Sequence, residues 1–154
     1  MADDPAAGVR FDMTVRWGDM DALGHVNNTV YFRFCESARI AYFEAIGLEE
    51  LADKPTDGPG LVQASLNFRR QVKYPATLEI AGRCTRIGGK SFHLTYTIRD
   101  KADGAVVADG DSVCVWVDYE LSKAKPLPAA LIDAIVRLEN NPALRPGANP
   151  GETS

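Results

Sequence analysis

Four strand-like segments follow one another in the second half of the chain with only short connections between them. They are rich in β-branched and aromatic residues and span positions 61–70, 76–86, 91–99 and 105–119. The connections carry turn residues such as Gly88-Gly89, and none of them has room for a crossover helix. We therefore expect an antiparallel four-stranded meander, with its most hydrophobic segment, 106–117, in a central position.

The first half of the chain combines one strand with one long helix. Apolar and polar residues alternate over 9–17, which is typical of a half-buried strand. Over 29–46, apolar or small residues recur every three or four positions, which predicts an amphipathic helix that ends at Gly47. Segment 51–60 is expected to be a loop that returns the chain to the sheet, and 129–139 a further helix.

The length and composition suit one folded unit. The chain has 154 residues, 45% hydrophobic and 25% charged, so residues 1–139 are expected to form a single domain and 140–154 a disordered tail rich in Pro, Gly and Asn. A strand, a long helix and an antiparallel sheet make an α+β domain with the helix on one face of a curved sheet. The other face and the edges of that sheet need cover, so we expect a homo-oligomer.

Composition also argues against several classes of protein. A net charge of -4 without any basic run gives no general attraction to nucleic acid, and no apolar stretch approaches the ~20 residues of a membrane-spanning helix. The acidic N-terminus lacks the pattern of a secretory leader, so a soluble, cytoplasmic protein is expected. The three cysteines have no CxxC spacing and are expected to be small buried hydrophobic residues. The two histidines lack zinc-type neighbours, so no metal is expected.

Residues 16–28 carry more polar chemistry than a connector needs. Two carboxylates, an imidazole and two amides fall within ten residues, at Asp19, Asp21, His25, Asn27 and Asn28. The helix that follows offers unpaired N–H groups and the positive end of a helix dipole, and either asparagine could cap it. A carboxylate facing those N–H groups, with a carbonyl held between them, is a workable site for acyl transfer.

The stretch RWGDMDALGHVNNTVYFRFCESAR resembles the first motif of the hotdog-fold acyl-CoA thioesterases of the 4-hydroxybenzoyl-CoA thioesterase type. The positions in register with that motif are Asp19, Asp21, Gly24, Val26, Tyr31, Glu36 and Arg39. Weaker similarity continues through 68–76, 86–91 and 115–128, so the resemblance covers about residues 10 to 130.

The resemblance implies a hotdog fold, in which a five-stranded antiparallel sheet wraps around one long central helix. It implies homodimers or homotetramers with active sites at subunit interfaces. The implied reaction is hydrolysis of an acyl-CoA thioester to the free acid and coenzyme A. In it Asp21 acts as nucleophile or general base, and backbone N–H groups near Asn28 and Thr29 hold the carbonyl oxygen. A thiolate leaves readily, so no strong general acid is required, and no cofactor is expected.

Several motif residues have two interpretations each. His25 is either catalytic or a residue that orders the loop or contacts substrate. The similar HVNN motif of acyl-carrier-protein thioesterases has an Asn where this chain has Leu23, which weakens an Asp-Asn-His interpretation. Asn28 is expected to be catalytic and Asn27 to bind substrate, although helix capping would explain one of them. Asp19 is expected to accept hydrogen bonds from loop amides.

Further candidates for substrate binding lie both near the motif and far from it in sequence. They are Gly24, Thr29, Tyr31, Arg86, Lys90 and Ser91, the last three through the phosphates of coenzyme A. Glu36 and Arg39 are three residues apart on the helix, so they form either an ion pair or part of the site. The aromatic residues of the helix line either an acyl pocket or the core, so the sequence does not specify the acyl group.

Two other functions stay open. The first is a thioesterase that acts on acyl carrier protein, which a basic surface around the site would favour and the acidic composition disfavours. The second is a hotdog protein that binds acyl-CoA without hydrolysing it, which the intact Asp21 disfavours.

Overall fold

The computed structural model describes residues 7–147, and a single antiparallel sheet dominates it. Its strands are β1 (Val9–Thr14), β2 (Asp57–Phe68), β3 (Thr77–Ile87), β4 (Ser91–Asp100), β5 (Val106–Asp118) and the two-residue β6 (Lys123–Ala124). The five longer strands lie in the order β1-β3-β4-β5-β2, and β6 pairs with β5. Every neighbouring pair is antiparallel, and for β3, β4 and β5 this agrees with their short connections.

Within residues 7–147, three α-helices accompany the sheet: α1 (Asn28–Ile46), α2 (Leu48–Leu51) and α3 (Ala129–Glu139). The Asn27 side chain caps α1 by accepting the Thr29 N–H, and Gly47 ends the helix in the left-handed region at φ 67°. Two short 3-10 helices, Trp17–Asp19 and Pro142–Leu144, lie outside these elements.

The core lies between α1 and the inner face of the sheet. The helix packs against β1, β3 and β4. Gly82 of β3 lies against the helix, since a Cβ at this position would be in van der Waals contact with the Cβ of Ala38 at 3.5 Å. Tyr42, Phe92 and Trp116 are among the largest fully buried side chains. The expected α+β architecture, a five-stranded antiparallel sheet curled around one long helix, is confirmed.

The predicted meander is correct for β3, β4 and β5 and wrong for β2. β2 pairs with β5 at the edge of the sheet, and residues 69–76 carry the chain past β5 and β4 to β3. Eight residues can span this distance of about 14 Å, three strand spacings, without a helix. β2 also begins at Asp57, inside the expected loop 51–60, while β1 ends at Thr14 rather than at residue 17.

Two further predictions bear on the ends and the interior of the chain. Residues 140–147, expected to begin the tail, include the 3-10 helix at Pro142–Leu144, and Leu144 packs against the core. Residues 148–154 lie outside the described residues. Cys35, Cys84 and Cys114 are buried and unbonded to one another, as predicted. Within residues 7–147, none of the helices is long and apolar enough to span a membrane.

Candidate active site

The loop before α1 is fixed to the start of β3 and to the segment preceding it. The Val15 N–H donates to the Ala76 carbonyl at 2.9 Å, and the Val26 N–H donates to the Val72 carbonyl at 2.8 Å. Both valines are buried, so each end of the loop is anchored by packing as well as by a hydrogen bond. The loop between them therefore presents its polar side chains from a rigid support.

Asp19 stabilises this loop from within. Its side chain is only 5% exposed and accepts the Arg16 backbone N–H at 2.8 Å and the Arg16 guanidinium at 3.0 Å. The Asn27 N–H donates to the Asp19 carbonyl at 3.0 Å, which holds the start of α1 beside it. The predicted role of Asp19 as an acceptor for loop amides is confirmed.

Asp21 is half-buried and held by hydrogen bonds to both carboxylate oxygens. Oδ1 accepts the Leu23 N–H at 2.9 Å, and Oδ2 accepts the side-chain amide of Asn27 at 3.3 Å. A turn closes behind it, since the Gly24 N–H donates to the Asp21 carbonyl and Gly24 takes the left-handed φ of 82°. These contacts fix the carboxylate and leave each oxygen able to accept a further bond.

The start of α1 leaves one backbone donor free next to this carboxylate. Asn27 Oδ1 accepts the Thr29 N–H at 2.9 Å, and the Asn27 carbonyl accepts the Val30 N–H at 3.0 Å. The Asn28 N–H has no acceptor among residues 7–147. Of the two N–H groups expected to hold a carbonyl oxygen, Thr29 is thus used by the cap and Asn28 is available.

A cavity of about 500 Å³ connects these groups. It is lined by Asp21, Leu23, His25, Val26, Asn28, Tyr31, Phe68, Arg69, Arg70 and Gln71. Among the described residues the imidazole of His25 has no hydrogen-bond partner, so it is free to meet a ligand. Burial raises the pKa of the Tyr31 hydroxyl, which keeps it neutral. The residues that carry a carboxylate, an imidazole and an unpaired helix N-terminal N–H thus line one cavity.

The family model of the thioesterase-like superfamily matches residues 15–135 of the chain. The chain belongs to this superfamily. That match begins at the anchored loop and includes every element from α1 to the first part of α3. The predicted membership among hotdog thioesterases is confirmed, whereas the narrower 4-hydroxybenzoyl-CoA type stays a prediction.

Individual members of the superfamily align over most of the chain. The long-chain acyl-CoA thioesterase FadM of Escherichia coli K12 is 28% identical over 124 residues, covering 80% of this chain and 94% of FadM. The 1,4-dihydroxy-2-naphthoyl-CoA hydrolase of Synechococcus elongatus is 25% identical over 130 residues, covering 82% of this chain and 94% of that enzyme. A Thermus thermophilus thioesterase solved with coenzyme A and Zn superposes with a TM-score of 0.76 at 29% identity, covering 90% of this chain and 100% of that chain.

The structure brings one part of the predicted site together in this thioesterase-like chain. Asp21, His25, Asn28 and Tyr31 line the cavity, and Asn27 binds Asp21. Gly24 shapes the turn behind the carboxylate, and the exposed Thr29 is engaged by Asn27 through both its N–H and its hydroxyl.

The remaining candidates lie at the other end of the sheet. Arg86, Lys90 and Ser91 surround the β3–β4 turn, where the Leu127 N–H donates to the Gly89 carbonyl. The cavity lies at the opposite end of β3, and the 11 residues of that strand span roughly 35 Å. Within one chain, these three residues therefore do not belong to the cavity.

Four lining residues, Phe68, Arg69, Arg70 and Gln71, were missed as candidates. They end β2 and begin the connection to β3, so their position depends on β2 lying at the sheet edge beside β5. Arg69 pairs with Asp109 at 3.1 Å, and Arg70 pairs with Asp103 at 2.7 Å. The Arg70 guanidinium and the Ala105 N–H lower the pKa of Asp103 to about 2, so this ion pair stays intact at neutral pH. The sequence offered two signals, the adjacent arginines after the strand and the weak family similarity over 68–76.

Proposed function

We propose that this thioesterase hydrolyses an acyl-CoA thioester to the free acid and coenzyme A at the cavity beside Asp21. The observation that carries the proposal is that Asp21 and Asn28, whose backbone N–H is unpaired among residues 7–147, line one cavity at the start of α1. Acyl transfer needs a group that attacks or activates water and a donor for the oxyanion that develops. The proposed site contains both.

The thioester carbonyl oxygen would accept the Asn28 N–H. This donor lies at the positive end of α1, whose dipole favours negative charge. As the carbonyl carbon is attacked, negative charge moves onto this oxygen, and a single such donor contributes roughly 2.7–4 kcal/mol to transition-state stabilisation.

Asp21 would supply the attacking group in one of two ways. As a nucleophile, a carboxylate oxygen bonds to the carbonyl carbon, the C–S bond breaks, and coenzyme A leaves as a thiolate that water or buffer protonates. Water then hydrolyses the resulting anhydride. As a general base, Asp21 takes a proton from the attacking water. In both routes the hydrogen bonds from Leu23 and Asn27 orient the carboxylate.

His25 is assigned to substrate contact. Its imidazole faces the cavity without a protein partner among residues 7–147, and only its backbone carbonyl is engaged, by the Asp21 N–H at 3.0 Å. An imidazole without a second residue to orient it is poorly arranged for proton transfer, which favours contact over catalysis.

The acyl-CoA class is supported by the relatives named above. FadM acts on long-chain acyl-CoA, the Synechococcus enzyme on 1,4-dihydroxy-2-naphthoyl-CoA, and the Thermus thioesterase was solved with coenzyme A. Their acyl groups differ while the coenzyme is shared. In this chain the cavity wall pairs the Tyr31 and Phe68 rings, whose centroids lie 5.4 Å apart, so an apolar acyl group would be in contact with aromatic surface.

We further propose that two copies pair along β2. Among the described residues this strand has a hydrogen-bonding partner strand on only one side, and it exposes large apolar residues, with Leu61 50%, Val62 62% and Phe68 47% exposed. A 12-residue edge strand that carries these apolar side chains and contains no Lys or Arg favours pairing with another chain. An antiparallel β2–β2 contact would extend the sheet across a two-fold axis and keep both α1 helices on the same face.

This pairing would bring the distant candidates to the site. In an antiparallel contact, the beginning of one β2 lies beside the end of the other, so the β3–β4 turn of the partner approaches the cavity end of the first chain. Arg86, Lys90 and Ser91 could then bind the phosphates of coenzyme A from across the interface. The proposed homodimer would complete a site that one chain lacks.

Release of free thiol from aliphatic and aromatic acyl-CoA esters tests the proposed function. The same esters carried on acyl carrier protein provide the comparison for the alternative carrier. Selective hydrolysis of coenzyme A esters supports the proposal, and hydrolysis of only the carrier-protein esters would assign the alternative.

A further inference from the structure

Arg39 is a half-buried cation that lacks an acidic partner among residues 7–147. The Glu36–Arg39 ion pair predicted as one alternative does not form, because Glu36 pairs with Arg33 at 2.8 Å. Arg39 instead donates to the Tyr96 hydroxyl at 3.3 Å, and its guanidinium lies 6.0 Å from the centre of that ring. The Tyr96 hydroxyl is in turn 2.6 Å from the Ser112 hydroxyl, in the buried part of the sheet.

The thiols of Cys35 and Cys114 are buried close enough to this guanidinium to respond to its charge. Burial raises the pKa of the Cys35 thiol to about 12 and that of Cys114 to about 11, and the charge of Arg39 opposes both rises. A cation in such surroundings is costly unless a carboxylate or a similar acceptor pairs with it. A half-buried guanidinium without a carboxylate partner among residues 7–147 is therefore a candidate for binding an anionic group.

The side of α1 that faces β2 is not closely packed against that strand, and we call the space between them the trough. α1 packs on β1, β3 and β4, which leaves the apolar inner face of β2 exposed, as at Leu61 and Phe68. Phe68 contacts Tyr31 at one end of this trough. Arg39 lies eight residues further along α1, which corresponds to about 12 Å.

The register of the sheet gives a similar distance between Phe68 and the part of the sheet that Arg39 contacts through Tyr96. Ala64 of β2 pairs with Ser112, the residue whose hydroxyl bonds Tyr96, while Phe68 pairs with Ala108. The four residues from Phe68 to Ala64 correspond to about 13 Å of strand. An acyl group that starts at Asp21 and runs between α1 and β2 would therefore approach Arg39 with its far end.

We propose that Arg39 binds a carboxylate at the end of the acyl group distant from the thioester. The preferred substrate class is then the coenzyme A monothioester of a dicarboxylic acid. A guanidinium offers a carboxylate two parallel hydrogen bonds, and the Tyr96 hydroxyl holds one of its nitrogens in place. This inference rests on the proposed function, because it extends the same site along its trough.

The test compares matched pairs of substrates. Each pair is a straight-chain acyl-CoA and the dicarboxylic monothioester with the same number of carbons, and propionyl-CoA serves as an ester too short to reach Arg39. The wild type should prefer the carboxylated ester of one chain length at least tenfold in kcat/KM, mainly through KM. Arg39→Met should remove that preference, and Tyr96→Phe should weaken it.

Arg33→Met is the control for loss of an arginine from the same helix, since Arg33 is exposed and pairs only with Glu36. It should leave the preference unchanged. The inference is overturned if the wild type shows no preference within any pair. It is also overturned if Arg39→Met lowers kcat/KM for both esters and for propionyl-CoA by the same factor, which a purely structural Arg39 predicts.

Binding to Asp21→Asn separates this inference from the proposed function. If the wild type hydrolyses none of the esters, the proposed function fails, and the dissociation constants of the two esters still decide the role of Arg39. Tighter binding of the carboxylated ester that Arg39→Met abolishes supports a carboxylate site. Equal dissociation constants overturn it.

Discussion

Asn27 joins the candidate catalytic carboxylate of Asp21 to the start of α1. Its side-chain amide donates to Asp21 Oδ2 at 3.3 Å, while its Oδ1 accepts the Thr29 N–H at 2.9 Å and caps the helix. One side chain thus sets the position of the attacking group relative to the Asn28 N–H, the donor assigned to the oxyanion. Capping and orientation can be separated, because only an amide does both.

Replacing Asn27 should separate stability from activity. Asn27→Ser keeps a capping oxygen and loses the amide donor, so it should retain nearly wild-type stability and lose about tenfold in kcat, as expected for a hydrogen bond to a charged group. Asn27→Ala should lose a similar factor in kcat and also about 1 kcal/mol of unfolding free energy. Denaturant unfolding and steady-state rates measure the two effects. Equal kcat values for wild type and Asn27→Ser would show that the amide does not orient Asp21.

A site shared between two copies predicts complementation between inactive variants. Asp21→Asn lacks the attacking group, and Arg86→Ala combined with Lys90→Ala lacks the proposed phosphate contacts. Refolding the two together should form mixed dimers with one intact site, and about a quarter of wild-type activity should return. The control mixes Asp21→Asn with a variant that carries all three substitutions. The dimers in this mixture have no intact site, because neither chain has Asp21. If the turn served its own chain, the first mixture would give no more activity than its separate components.

The three cysteines should not react with thiol reagents in the native protein. Burial raises the pKa of Cys35 and Cys84 to about 12 and that of Cys114 to about 11, so the thiols stay protonated near neutral pH. Titration should count no reactive thiol in the native state and three after denaturation. Rapid reaction of the native protein would contradict their burial.

The same thiols predict a pH dependence of stability. They ionise near pH 8.5 in the unfolded chain and only at higher pH in the folded one. The folded state therefore holds its full advantage below about pH 8.5, and the unfolding free energy should fall as the pH rises above that value. Denaturant unfolding at pH 7 and pH 10 measures it, and variants with Cys→Ala isolate the contribution of the thiols.

The sequence predicted those parts of the fold that local periodicity determines. The period of α1, its end at Gly47 and the short connections between β3, β4 and β5 all appear in the structure. The position of β2 was predicted wrongly, because alternation shows that a segment is a strand but not which strand it pairs with. β2 and β5 are far apart in sequence, and their pairing requires the eight-residue connection that carries the chain from β2 to β3.

The site was predictable where its residues are close in sequence. Asp21, His25, Asn27 and Asn28 belong to one loop and helix start, so a single motif placed them together. Phe68 and the residues after it required the sheet order, and no local pattern shows that the end of β2 meets the start of α1. Arg86, Lys90 and Ser91 fit the site only if a second chain is present.

Turnover of an acyl-CoA ester by Asp21→Asn tests the central claim most directly. The substitution removes the charge and hardly changes the shape, so the fold and oligomeric state should persist. Asp12→Asn, at an exposed carboxylate paired with Lys101, provides the matched control. With the ester that the wild type hydrolyses best, thiol release by Asp21→Asn should fall to background while Asp12→Asn keeps the wild-type rate. Hydrolysis by Asp21→Asn at the wild-type rate would contradict the assignment of this carboxylate and of the site built around it.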